Sequence, residues 1–229
     1  MRKPANTVEL KIDSGRDQPR QKLLTAARQV FAEVGFRAAT VREICARAEQ
    51  NVAAVNYHFG DKFGLYAETL KHETVFNEEM ADRELGALAP KEALRTFIVR
   101  VFRSFGSADR PAFYTQVMMH ELAAPSEGLS AVLDQVIRPR VQVLEKIVGL
   151  LIELPPAHPK TRLCVLSITG QIAHYVNSRA LISSIWPEWK LNSEDLNEVA
   201  NHIADYSLAA LQTVKRDFSQ AASRTRKTR

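Results

Sequence analysis

The chain has 229 residues, 45% of them hydrophobic and 25% charged, with a formal net charge of +5. That balance is ordinary for a globular protein and argues against general disorder, while the most apolar stretch, Val141 to Leu154, is broken by Gln142, Glu145 and Lys146 and so falls short of the ~18 apolar residues of a membrane span. The positive excess sits at the ends: residues 1–72 carry 12 Lys+Arg against 8 Asp+Glu, residues 73–218 carry 15 against 18, and residues 219–229 carry 4 against none, a distribution that suits a polyanionic partner for the N-terminal part.

Glycines are few, alternating β-branched residues are rare, and apolar residues recur at three- and four-residue spacing, so the sequence predicts an all-α protein of nine helices. Residues 1–16 mix polar and charged residues without period and are expected to form a disordered arm. They lack the apolar core of a secretory signal, which makes cytoplasm the expected compartment. A first helix spans about Pro19 to Val34 and stops at Gly35. Thr40-Val-Arg-Glu43 fits a capping box opening a short second helix to about Ala48. Asn51 caps a two-turn third helix, Val52 to Phe59; Gly60 ends it and Asp61 caps a fourth. Longer amphipathic helices follow at Lys91–Phe105, Arg110–Ala123, Glu127–Leu154 (bent or broken near Pro139), Pro159–Ser183 and Glu194–Asp217. Asp109, Ser126 and Ser193 are their expected caps, and residues 219–229 form an expected disordered basic tail. Cys45 and Cys164 make no CxxC pair and read as small core hydrophobes.

Three short helices before a long one form a DNA-binding layout, with residues 17–64 as the helix-turn-helix domain and 65–218 as a larger helical domain. Such a motif braces one helix across the backbone and lays a second in the major groove. Here Val55 and Phe59 can pack on Ile44 and Phe31, which turns Ala53, Ala54, Asn56 and Tyr57 outward. Asn56 can bond adenine in bidentate fashion, and the alanines can meet thymine methyls.

The stretch from Leu23 to Leu70, and within it the block NVAAVNYHFGDKFGLY, resembles the tetracycline-repressor family. The resemblance implies that Thr40 caps the second helix and meets a phosphate, that Asn51, Ala53, Ala54 and Asn56 address the groove, and that Tyr57, His58 and Lys62 grip the backbone. Arg16, Arg20 and Lys22 can add phosphate or minor-groove contacts. Two departures from the family pattern matter. Glu49 and Gln50 stand where it has glycine and a small hydrophobe in the turn, so Glu49 is expected either to accept a strained conformation or to shift the helix. Phe63 stands where an acid often follows the lysine.

Further on, VMMHELAAPSEGLSAVLDQVIRPRVQVLEKIVGLL resembles the C-terminal domain of the CecR-like branch. In such proteins the middle helices enclose an effector pocket and the last two long helices form a four-helix bundle with a partner, which implies a homodimer. Leu196, Val199, Ile203, Tyr206, Ala210 and Val214 form a stripe on the last helix, and Leu163, Leu166, Thr169, Gly170 and Ala173 form one on its predecessor. The expected effector pocket draws on Phe102, Phe105, Phe113, Tyr114, Val117, Met118, Glu121, Tyr175 and Trp186, joined by Gln116, His120 and Asn177, an apolar lining with a few polar anchors. No cofactor or metal is expected: His72-Glu73 and His120-Glu121 lack the second histidine of a zinc helix, and no GxSxG or Walker loop is present. The reading is therefore a non-enzymatic, ligand-responsive regulator released from a palindromic operator by a small lipophilic or drug-like effector. Its rivals are a non-specific architectural DNA binder and a helical enzyme.

Overall fold

A computed structural model of the chain describes residues 18–71, 84–104 and 113–227, and every regular element among them is helical. Helix α1 (Gln18–Ala38) turns Leu23, Leu24, Ala27, Val30 and Phe31 into the core. Its regular course breaks at Gly35, whose φ of 73° places it where residues with a Cβ are disfavoured. Helices α2 (Val41–Ala48), α3 (Val52–Phe59) and α4 (Lys62–Lys71) follow and pack against α1 and one another.

The larger helical region comprises α5 (Pro90–Arg103), α6 (Phe113–Ala123), α7 (Gly128–Val132), α8 (Arg138–Ile152), α9 (Pro159–Asn177), α10 (Arg179–Ile185) and α11 (Ser193–Lys227). Helices α7 and α8 are joined by a turn of π-helix, Leu133–Ile137. This is the bend expected near Pro139. A proline has no N–H for the carbonyl four residues back and crowds it, and one wider turn absorbs the defect without ending the helix.

Three boundaries differ from the sequence expectation. The single helix expected over Pro159–Ser183 divides at Ser178 (φ −106°, ψ 19°), beside Asn177; short polar side chains of this kind compete for backbone hydrogen bonds. The cap of α11 is Asn192 rather than Ser193, its Oδ1 accepting from the N–H groups of Glu194 and Asp195 at 2.9 and 3.0 Å. The final helix runs on to Lys227 instead of stopping at Asp217, because the absence of an apolar stripe removes packing but neither glycine nor proline interrupts the backbone ladder. Asp109 and the arm of residues 1–16 lie outside the described residues, as do Phe105, His72 and Glu73.

Along α11, Leu196, Val199 and Ile203 are buried within the chain, facing α5, and Arg95 of α5 ties to Asn201 (2.9 Å) and to Asp205. The opposite face is open: Tyr206 is 63% exposed, and on α9 Leu163 and Leu166 are 58% and 65% exposed. The stripe expected on α11 thus divides between two faces.

Candidate nucleic-acid interface and sensor interior

The helix-turn-helix rests on a small core. Val55, at the centre of α3, is fully buried, as are Ile44 of α2 and Phe31 of α1. Phe59 packs on that core half-buried, with the Arg20 guanidinium 5.5 Å from its ring centroid. With Val55 fixed inward, helical spacing leaves Ala53, Asn56 and Tyr57 exposed, and Tyr57 reaches 84% exposure. An aromatic side chain so fully in water contributes little to the core beneath it. Ala54, expected outward, is half-buried against the core, and His58 is half-buried with its ring 4.9 Å from that of Tyr57.

Both short helices are capped as their sequences imply. The Thr40 hydroxyl accepts from the Glu43 N–H at 3.2 Å, and Asn51 Oδ1 accepts from the Ala53 N–H at 3.0 Å. The second half of the capping box gives way to an ion pair: the Glu43 carboxylate takes a hydrogen bond from Arg47 at 2.8 Å, and Arg47 also donates to Glu33 at 2.8 Å. The guanidinium holds the Glu33 carboxyl below its ordinary range, chiefly by that hydrogen bond. Asp61 Oδ1 accepts from the Gly64 N–H at 2.7 Å and caps α4.

The turn between α2 and α3 takes the strained course. Glu49 sits at φ 53°, ψ 43°, the left-handed region, and the Gln50 N–H closes the turn on the Cys45 carbonyl at 2.9 Å. Its side chain is 83% exposed and lies 3.6 Å from Lys22.

Lys62 has a larger structural part than the sequence suggested. Its ammonium donates to the carbonyls of Phe36 (3.0 Å) and Ala39 (3.2 Å) and sits 4.3 Å from the Phe36 ring centroid. It pins the start of α4 to the corner between α1 and α2. Arg20 is likewise engaged, with Glu68 at 2.6 Å. Arg16 lies outside the described residues.

The two regions meet through close packing. Tyr66 of α4 is buried in a cluster with Phe31 and Phe36, and Gly128 fits against it so tightly that an added Cβ would stand 2.8 Å from Phe36 and 2.9 Å from Tyr66. Burial, with the Glu121 charge nearby, pushes the Tyr66 hydroxyl well above its ordinary range. His120, expected among the pocket residues, instead turns to α1, where Nε2 lies 3.0 Å from the Ala32 carbonyl oxygen and so meets it as an N–H donor. Arg37 donates to the Pro125 carbonyl at 3.3 Å.

The residues expected to line an effector pocket fall into two groups. Phe102, Phe113, Tyr114, Val117 and Glu121 are buried in the interior, with Met118 half-buried against them. Arg140 sits over the Tyr114 ring at 4.8 Å, and the Glu121 carboxylate accepts from the Ser126 N–H (2.9 Å) and hydroxyl (2.7 Å), fastening the turn into α7. Tyr175 and Trp186 stand apart, lining a hollow of about 380 Å³ with His174, Ile182 and Trp189. The sequence reading missed Trp189, although its spacing from Trp186 in WPEW placed two large aromatics in one short loop. Among the described residues no group of three or more His, Cys, Asp or Glu side chains could hold a metal ion, and no helix is long and apolar enough to cross a membrane.

Comparison with known proteins agrees with this geometry. Residues 23–69 match the model of the bacterial regulatory proteins of the tetR family, and residues 90–211 match that of the HTH-type transcriptional dual regulator CecR, C-terminal domain. The chain is 30% identical over 160 residues to the transcriptional dual regulator CecR of Shigella flexneri, covering 65% of this chain and 69% of that one. It is 28% identical over 128 residues to the transcriptional repressor AcnR of Corynebacterium glutamicum, covering 53% and 63%. Among solved structures, the regulator FadR of Bacillus subtilis in complex with stearoyl-CoA aligns with a TM-score of 0.62 at 19% identity, covering 82% of this chain and 97% of that one. NalD of Pseudomonas aeruginosa, the secondary repressor of the MexAB-OprM multidrug efflux pump, aligns at 0.60 and 18%, covering 84% and 96%. The matched models span both the helix-turn-helix and the helical region beyond it, and the chain belongs to the tetR family of transcriptional regulators, with a C-terminal domain of the CecR type.

Proposed function

We propose that this regulator is a repressor that binds a palindromic operator as a homodimer and leaves it when a small lipophilic or drug-like molecule occupies the sensor. The observation that carries the reading is α3: Val55 is sealed in the core while Ala53, Asn56 and the 84% exposed Tyr57 face away from it. Asn56 and Ala53 address base edges, and Ala54 permits close approach. The Tyr57 hydroxyl and Thr40 meet phosphates, with His58 beside Tyr57. Asn51 retains its amide N–H groups for the groove while its oxygen caps the helix. Lys62 acts chiefly by holding α4 against α1.

One recognition helix covers too few base pairs for operator specificity, and a twofold pair supplies the rest. The open faces of α9 and α11 support a bundle with a second copy, since Leu163, Leu166 and Tyr206 are exposed and Gly170 has open space where a side chain would be. Phe102, Phe113, Tyr114, Val117 and Met118 form the wall against which an effector shifts α6 and thereby α1 and α4. A ligand moves the operator equilibrium only by binding one arrangement better than the other. The domain limits of this reading are 17–64 for DNA and 65–218 for sensing and dimerisation, in the cytoplasm.

Selection of bound fragments from genomic DNA tests it. A palindromic fragment retained against excess random DNA is expected, and Asn56→Ala and Tyr57→Ala are expected to weaken retention by about tenfold or more each, the order of one lost base or phosphate contact. Retention indifferent to sequence, or unaffected by both substitutions, would falsify the reading.

A further inference from the structure

The geometry points to a site for an amphipathic organic cation in the trough between α9, α10 and the start of α11. Two hollows of about 380 and 300 Å³ adjoin there, sharing Tyr175 and Trp189 as a common wall. Their size suits a small organic molecule. The first is walled by Tyr175, Trp186 and Trp189, and the second is rimmed by Asp195, Glu198 and His202. Aromatic faces attract a cation through their quadrupole, strongly where water is displaced, and a carboxylate at the rim fixes the sign of the preferred guest.

The local charge has the same sign. From Trp186 to Glu198 the chain carries four carboxylates and one lysine, in a protein whose net charge is +5. The Asp195 carboxylate is partly spent on the Asn192 N–H at 3.1 Å. Glu198 makes no hydrogen bond or ion pair among the described residues and is the free anion of the rim.

The backbone that carries the two tryptophans is held. The Trp186 backbone N–H donates to the Ile182 carbonyl at 2.8 Å, the Trp189 backbone N–H to the Trp186 carbonyl at 2.9 Å, and the Ser183 hydroxyl to the Trp189 carbonyl at 2.7 Å. Leu191 then anchors the loop, fully buried. Trp186 nevertheless stays 51% exposed and Trp189 41%, the pattern of preformed aromatic walls with an open mouth.

This site lies apart from the interior wall assigned to the effector above and rests on the regulator reading only for any regulatory consequence. Trp186 and Trp189 are the chain's two tryptophans, so tryptophan emission of the intact protein, excited beyond the tyrosine absorption, reports on this trough. Tetraphenylphosphonium is expected to change the emission saturably, and the isosteric anion tetraphenylborate to do so only weakly. Glu198→Gln and, with Trp186 as reporter, Trp189→Leu are expected to weaken the cation's affinity by about tenfold each, with circular dichroism unchanged. An equal response to both ions, no response to either, or full affinity in Glu198→Gln overturns the proposal. So does emission that shifts with protein concentration and no longer answers to the cation, which would make a second copy of the chain the occupant. Fragment retention assayed on the same samples separates the two ideas: loss of sequence-selective DNA binding with intact cation binding sinks the regulator reading alone, and the reverse sinks only this one.

Discussion

Replacing Glu49 with glycine should stabilise the protein, and the gain can be worked from the turn. Glu49 closes α2 at φ 53°, ψ 43°. A residue with a Cβ pays about 1–2 kcal/mol in that conformation. Glycine pays nothing there, but it frees the unfolded chain, which returns about 0.5–1 kcal/mol to the unfolded state. The ion pair with Lys22, at 3.6 Å and with the Glu49 side chain 83% exposed, adds little on either side. The net is a stabilisation of about 0.5–1 kcal/mol, or roughly 1–4 °C in midpoint for a chain of this size. Thermal unfolding at fixed protein concentration measures it, with Glu49→Ala as the control that removes the carboxylate but keeps the strain. Equal midpoints for the two variants would refute the reasoning, because charge and not backbone would then govern the turn. DNA affords a second readout: both variants lose the same anion beside the proposed interface, so both should gain the same increment in non-specific affinity at low salt.

Tyr66→Phe is expected to leave stability unchanged or raise it by about 1 kcal/mol, since its buried hydroxyl has no hydrogen-bond partner among the described residues; urea unfolding measures this, and a loss above that size would mean that the hydroxyl is satisfied in solution. Gly128→Ala should cost about 1–3 kcal/mol by driving a methyl into Phe36 and Tyr66, and hydrogen exchange should show the loosening in α1 and α4 first; protection lost evenly along the chain would contradict the packing described. The Glu33 carboxyl is held below its ordinary value of 4.5 by Arg47, so its stabilising contribution is complete above that value and is lost as pH falls through the lowered one. Arg47→Met should therefore flatten the acid limb of a stability-against-pH curve while leaving its slope near neutrality unaltered.

Much of the DNA-binding half was legible because its signals are local. Gly35, Thr40, Asn51, Gly60 and Asp61 punctuate three short helices, and each acts within four residues of itself. Glu49 was legible as well, since one residue in the wrong place for its backbone announces strain. What a sequence does not display is competition among partners for one group. Lys62 reads as a cation at a helix start, but its neighbours in space are the carbonyls of Phe36 and Ala39, far back in the chain. Glu43 reads as half of a capping box, yet Arg47 one turn on offers it a charge. The larger helical domain was harder for the same reason. Aromatic residues at helical spacing look alike whether they fill an interior, as Phe102 and Phe113 do, or wall an open hollow, as Tyr175 and Trp186 do.

The internal use of the basic residues also bears on how such a domain distinguishes DNA sequences. Arg20 is paired with Glu68, Lys22 with Glu49, Arg47 with Glu33 and Glu43, and Lys62 with backbone carbonyls. Carboxylate partners offset the charges of Arg20 and Arg47, and neutral carbonyls hold the still-charged Lys62 ammonium in place, so these cations are less available to phosphates, whose attraction adds equally to every DNA sequence. What faces outward on α3 is the Ala53 methyl, the Asn56 amide and the Tyr57 phenol, with the Asn51 amide at its start, all short and uncharged. Groups of that kind bind well only when a helix is seated at one depth and angle, and the same interactions that consume the cations fix that seating: Lys62 locks α4 to the corner of α1 and α2, and Arg47 ties α2 to α1. Charge spent inside the domain lowers the general attraction to DNA and stiffens the platform on which selectivity depends.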